Sequence, residues 1–240
     1  MTGIDAAMIE RRRKLLGSAY KLFYDNPVHI VRGEGVWLYD ADGRKYLDMY
    51  NNVPHVGHCH PHVVEALSKQ IATLNTHTRY LHENILEYAE RLTGHFEQEL
   101  DLAMFCCTGS EANELAMRIA RTHTRGTGFI ATSFAYHGNT KATFEITTSD
   151  IPEDERPDYI ATVPVPDPYR GLYTGPDAGE RYAAHVHEAI EALESRGVKL
   201  AAFIIDTIAS SGGVVSPPAG YLSAVAKIVR DAGGLFIADE

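Results

Sequence analysis

Basic residues are in short supply. Only 22 Lys and Arg stand against 32 Asp and Glu, for a formal net charge of −10 over 240 residues. That deficit excludes the basic face that nucleic acid or an anionic membrane surface requires. Cysteine is scarce as well. Cys59, Cys106 and Cys107 are odd in number and irregular in spacing, which excludes a disulfide framework and predicts reduced thiols in a cytoplasmic protein. No stretch approaches the roughly 20 apolar residues of a membrane span. The opening residues are charged and lack the apolar core of a secretory signal. Internal repeats and low-complexity segments are absent. No Gly-Lys pair occurs anywhere, so the phosphate-binding loop of an ATPase is excluded.

What is present is ordinary globular composition, 45% hydrophobic and 22% charged, in a regular order of elements. A charged helix is predicted over 6–16. Three strand-like runs follow at 29–33, 36–40 and 45–49, and Asp42-Gly43 supplies a hairpin signal. These make a small antiparallel meander. Pro61 opens a predicted helix over 61–73, and a second fits 83–97. Beyond residue 100, apolar runs alternate with helical spacing. Strands are predicted at 102–107, 128–132, 160–165, 201–205 and 235–238, and helices at 111–123, 179–195 and 218–231. The Pro-, Asp- and Gly-rich stretch 148–178 is read as running over the surface. Continuous apolar strands alternating with helices imply an α/β fold, with a mostly parallel sheet covered by helices on both faces. We divide the chain into an N-terminal arm with part of a small domain, 1–55, and a large domain, 56–240. The last residues, Asp239 and Glu240, follow directly on a buried-type strand. Domains seldom finish there, so the reading is of a chain whose natural sequence continues.

Three loops at strand ends are candidate chemistry. Thr108-Gly109-Ser110-Glu111 lies between a strand and a helix. Gly109 permits close backbone approach, Ser110 is a good N-cap, and a helix start suits a phosphate; a plainly capped helix would explain Ser110 alone. Phe134-Ala135-Tyr136-His137-Gly138-Asn139 offers an aromatic ring to a planar ligand, although a Tyr-His pair also occurs in simple packing. Asp239 ends an apolar strand, where a carboxylate can pair with a pyridinium nitrogen. Ligands sit outside the carboxyl ends of parallel strands, which makes the coincidence of these loops informative. The run His55–His62 is dense in metal-type ligands, but residues so close in sequence converge poorly on one ion. It is read as a turn leading into the Pro61 helix, with no metal. Cys106 and Cys107 are read as core residues of the 102–107 strand, pointing to opposite faces.

The ordered set "IVRGEG", "LYDADGRKYLD", "GHCHP", "TGSEAN", "YHGNT", "PPAGYL" and "FIADE" resembles the class III (omega) aminotransferases, which are fold-type I pyridoxal-phosphate (PLP) enzymes. The resemblance runs from about residue 22 to the last residue. "NNVPHVGHCHP", "NTHTRYLHENILEYAERL" and "VPDPYRG" are similar to the branch containing ethanolamine-phosphate phospho-lyase and alanine–glyoxylate aminotransferase 2-like proteins. The resemblance implies PLP as cofactor. It implies that Gly109 and Ser110 hold its phosphate, that Tyr136 stacks on its ring with His137 and Gly138 supporting the loop, and that Asp239 pairs with its ring nitrogen. Asp206 stands where the family has a Glu beside the cofactor, and Ala209 where it has a Gln. Tyr24, Asn52 and Val53 fall in segments that approach the substrate. A homodimer is implied, as are amine substrates with oxo-acid or aldehyde acceptors. The Schiff-base lysine of the family follows the Asp by some tens of residues, and Lys14, Lys21, Lys45, Lys69, Lys141, Lys199 and Lys227 all read as surface charges. The expected function is amino-group transfer, with this chain alone inactive for want of that lysine. Two alternatives stand beside it: phosphate elimination from a phosphorylated amino alcohol, and a lysine-less, non-catalytic remnant.

Overall fold

The computed structural model describes residues 3–22, 24–51 and 53–240. The chain forms two compact units, 1–94 and 95–240.

The first unit opens with helix α1 (Gly3–Leu16) and continues into a meander of β1 (Ile30–Glu34), β2 (Trp37–Asp40) and β3 (Lys45–Leu47), paired antiparallel in that order. Asp40 builds the hairpin. Its Oδ1 accepts from the Asp42 and Arg44 N–H groups at 3.0 and 2.8 Å, and Gly43 takes the left-handed φ of 82° that the turn requires. The histidine-rich run serves this meander. His58 bridges Gly35 in both directions, at 3.0 and 2.7 Å, and its Nε2 lies 2.7 Å from Asp48 Oδ2. A Cβ on Gly33 would meet the His58 ring at 2.7 Å. Among the described residues no group of three His, Cys, Asp or Glu could hold a metal. Helix α2 (Pro61–Thr73) has Pro61 in its first turn, and α3 (Glu83–Thr93) stops at Gly94, earlier than its apolar spacing suggests. Neither helix has a buried residue, so the apolar stripe Val63, Val64, Leu67 and Ile71 is exposed.

In the second unit, α4 (Gly109–Thr124), β4 (Gly128–Thr132), α5 (Lys141–Glu145), β5 (Ile160–Val163), α6 (Ala178–Ser195), β6 (Leu200–Asp206), α7 (Tyr221–Asp231) and β7 (Leu235–Asp239) follow in order. The four strands form one all-parallel sheet, β5-β4-β6-β7. Alternate residues feed two cores. Ile130, Phe203 and Ile205 pack with Tyr182, Val186 and Leu193 of α6 and Val225 and Val229 of α7. Phe129, Ala131 and Ile204 pack with Met117 and Ala120 of α4 and with Ile146. Each fully buried large side chain contributes roughly 1.5–3 kcal/mol, so this two-faced layer is where the unit's stability resides. The 148–178 stretch is only partly superficial, because Ile160, Ala161 and Val163 enter the core. Helix α7 begins at Tyr221, not 218, since Gly220 has a left-handed φ of 81°.

One expected strand does not form. Residues 102–107 are irregular and Leu102 is 89% exposed. The run is apolar, but no strand among the described residues pairs with it, and a strand without a ladder leaves its backbone groups to solvent. Cys106 and Cys107 are consequently exposed, not core residues. No helix among the described residues is long and apolar enough to cross a membrane.

Candidate active site

The parallel sheet directs four segments past the carboxyl ends of its strands, the position where α/β sheets bind ligands. The loop 133–140 leaves β4 and is fixed at nearly every step. The Ala135 N–H donates to Thr148 Oγ1 at 2.8 Å, and Thr148 Oγ1 donates back to the Thr132 carbonyl at 2.6 Å. The Tyr136 N–H donates to Ser211 Oγ at 3.1 Å, tying the loop to the one after β6. The His137 N–H donates to Thr147 Oγ1 at 3.1 Å, and its carbonyl accepts from Asn113 Nδ2 of α4 at 2.9 Å. The Asn139 N–H donates to Ser110 Oγ at 3.2 Å. Gly138 sits at φ 135°, and a Cβ there would meet Ser110 Oγ at 2.6 Å and Thr143 Oγ1 at 2.7 Å. Glycine is thus required twice over, by dihedral and by space.

Helix α4 begins at Gly109, and its N-cap is Thr108 rather than Ser110. Thr108 Oγ1 accepts from the Glu111 N–H at 3.1 Å, and the Ala112 N–H donates to the Thr108 carbonyl. The spacing Thr108-x-x-Glu111 is a capping-box pattern that outranks Ser110 as the start signal. Ser110, inside the first turn, is thereby free to hold Asn139. The Gly109 and Ser110 N–H groups have no acceptor among the described residues, and nothing lies within 4 Å of where a Gly109 Cβ would be. An open helix end with bare N–H groups is suited to an anion.

The contact between His137 and Asp239 is what residue-by-residue reading missed. The His137 side chain is fully buried, and its Nδ1 lies 2.8 Å from Asp239 Oδ2 at the end of β7. Facing a carboxylate, Nδ1 carries the hydrogen, and Nε2 is left buried without a partner among the described residues. Asp239 keeps a partly exposed carboxylate for a second donor. Tyr136 is half-exposed.

Asp206 is the register partner of Asp239 across β6 and β7. Its carboxylate is committed to its own turn. It accepts from the Ile208 N–H at 3.1 Å, from the Ser210 N–H at 2.7 Å, and from the Ser210 hydroxyl. Ala209 in that turn is buried with a positive φ. Tyr24 and Val53 lie exposed in the first unit, and Asn52 falls outside the described residues. Among the lysines, Lys45 lies over the Trp37 ring at 3.8 Å, Lys199 donates to the Thr124 carbonyl, and Lys227 pairs with Asp231.

The chain is similar to known proteins in sequence and in fold. The sequence profile of the family described as aminotransferase class-III matches residues 20–240. An alanine–glyoxylate aminotransferase 2-like protein of Drosophila melanogaster is 42% identical over 97% of this chain and 49% of its own length. An ethanolamine-phosphate phospho-lyase homolog of Caenorhabditis elegans is 37% identical over 97% of this chain and 53% of its own. The chain therefore spans about half the length of the curated relatives it matches. Among solved structures, a phospholyase from Arthrobacter in complex with phosphoethanolamine is 42% identical, with a TM-score of 0.89 over 96% of this chain and 55% of that one. An (S)-enantioselective omega-transaminase from Thermomicrobium roseum is 28% identical, with a TM-score of 0.79 over 97% of this chain and 56% of that one. The family is PLP-dependent and of fold type I, and this chain belongs to the class III aminotransferases.

Proposed function

We propose that this chain carries the cofactor-holding part of a PLP enzyme that transfers an amino group from an amine to an oxo acid or aldehyde. The observation that supports it most is the linkage of the segments after β4, before α4 and at the end of β7 into one cluster, through Ser110–Asn139 and His137–Asp239. The residues fit the cofactor. The bare N–H groups of Gly109 and Ser110 would hold its phosphate, and Gly138 lets the Tyr136 loop close on Ser110. Tyr136 would stack on the ring. Asp239 would accept a hydrogen bond from the protonated ring nitrogen, with His137 orienting its carboxylate from behind. Bound PLP supplies an electron sink for the bond broken at the amine-bearing carbon. Asp206, bound into its turn, would shape the neighbouring loop and leave ring contact to Asp239. Tyr24, Asn52 and Val53 would serve the substrate side, and 56–240 would form the cofactor-binding domain.

The test is retention of PLP after gel filtration, read by its absorbance. Ser110→Ala and Asp239→Ala should each lower it. Unchanged retention in both sinks the assignment. Sedimentation tests the homodimer, which a monomer mass overturns. Fractionation tests the cytoplasmic compartment; three similar proteins are named as mitochondrial.

A second reaction, elimination of phosphate from a phosphorylated amino alcohol, is supported by similarity among the solved structures, while a relative named as an aminotransferase is also 42% identical. Similarity to the Arthrobacter phospholyase, at 42% identity, exceeds that to the omega-transaminase, at 28%. Product analysis separates the two. Phosphate and ammonia released without an oxo-acid acceptor indicate elimination.

A further inference from the structure

The first unit holds a groove of about 1050 Å³ between the end of α1, residues 21–22 and 24–28, and the meander. Its wall carries two cations, Arg12 and Lys21. Neither is paired with a carboxylate among the described residues. By contrast, Arg13 is held by Glu10 at 2.8 Å and Arg32 by Glu34 at 2.6 Å. Arg12 Nη2 donates to the Tyr20 carbonyl at 3.4 Å, while its Nε is buried and has no acceptor among the described residues. A buried guanidinium N–H without a partner calls for an acceptor from outside the chain. The groove also contains Asp25 and Asp48. Asp48 is taken up elsewhere, accepting from the Tyr50 and Asn51 N–H groups at 3.1 and 2.9 Å and lying 2.7 Å from His58 Nε2. Asp25 is exposed. Of the aromatic groups, the Tyr46 hydroxyl donates to Asp40 at 2.8 Å.

We propose that Arg12 and Lys21 form a phosphate-binding subsite in this groove, for the phosphate of a phosphorylated amine. The choice of ligand rests on the elimination reading above. Guanidinium offers planar paired donors to phosphate oxygens, and an ammonium adds a point charge. In a chain with an excess of acids, this is a place where a dianion meets two cations that have no carboxylate partner among the described residues.

The probes are inorganic phosphate, phosphoethanolamine and ethanolamine, titrated into the protein by calorimetry. Arg12→Met and Lys21→Met should each weaken phosphoethanolamine about ten-fold, the size of a lost charge-assisted hydrogen bond. Inorganic phosphate should follow the same loss. Lys45→Met, whose cation sits over Trp37, should leave both unchanged. Lys21 is exposed, so its variant folds even if Arg12→Met does not. Ethanolamine binding as tightly as phosphoethanolamine overturns the proposal. So does an affinity that falls with Ser110→Ala but not with Arg12→Met or Lys21→Met, which puts the anion at the α4 end instead. Phosphoethanolamine binding that depends on Arg12 in a protein unable to retain PLP supports the groove and defeats the cofactor assignment separately.

Discussion

His137 Nδ1 lies 2.8 Å from Asp239 Oδ2, joining residues 102 positions apart. The imidazole is fully buried and the carboxylate partly open, so the pair has one closed end and one end facing the proposed ligand. Removing the imidazole leaves a hole and an unpaired acid. His137→Ala should cost about 2–3 kcal/mol, measured by urea unfolding. Asp239→Asn keeps the volume and one acceptor, and should cost less. A His137→Ala variant as stable as the wild type would contradict this.

Gly138→Ala sets a methyl against Ser110 Oγ and Thr143 Oγ1 at a φ that side chains avoid. The expected loss is about 2 kcal/mol, together with weaker PLP retention as the loop is pushed off Ser110. A variant with wild-type stability and retention would remove the steric argument.

Asp48 is held well below the usual carboxylate range, first by the Asn51 N–H, then by His58 and the Tyr50 N–H. A carboxyl depressed in the folded state contributes stability that is present above its unfolded pKa of about 4 and is lost as pH falls toward the folded value. Wild-type stability should therefore decline more steeply below about pH 4 than that of Asp48→Asn. Parallel acid-side slopes would contradict this.

Tyr159 is pushed up to about 12, by burial first and by its hydrogen bond to Glu145 second. The neutral phenol is favoured by the fold, so its contribution holds below the unfolded pKa of about 10 and is lost as pH rises toward the folded value. In an ultraviolet alkaline titration, Tyr159→Phe should remove a late-titrating component. Removal of an early one would show the phenol to be free.

The sheet was legible where apolar runs are long and flanked by helical spacing. The β4 and β6 runs are buried throughout, or nearly so. The 102–107 run has the same composition and is irregular, because composition marks a candidate for burial while pairing needs a neighbour. The helix start was misplaced for a related reason. Thr108 and Ser110 are both good caps, and the hydrogen bond to the Glu111 N–H decides between them. The residues of the candidate site were visible as loop motifs. The His137–Asp239 contact was not, since nothing local in "YHGN" or "FIADE" says that β4 and β7 carry their ends to one place. The groove cations Arg12 and Lys21 left no local mark either; each looks like an ordinary surface charge until Asp48 is seen to be engaged elsewhere.

The β4–β6 pairing has a consequence for how the chain acquires its shape. Gly128 finds its partner at Leu200, and Phe203 finds Phe236. Every ladder in this sheet is parallel, and each is closed through a long crossover, which makes such contacts slow to form. During synthesis, β4 can meet β5 first, but its second edge stays open until the ribosome has released β6. Amide exchange in β4 of a chain stopped after α6 should accordingly be fast, and it should slow once Leu200–Asp206 is available to lie alongside.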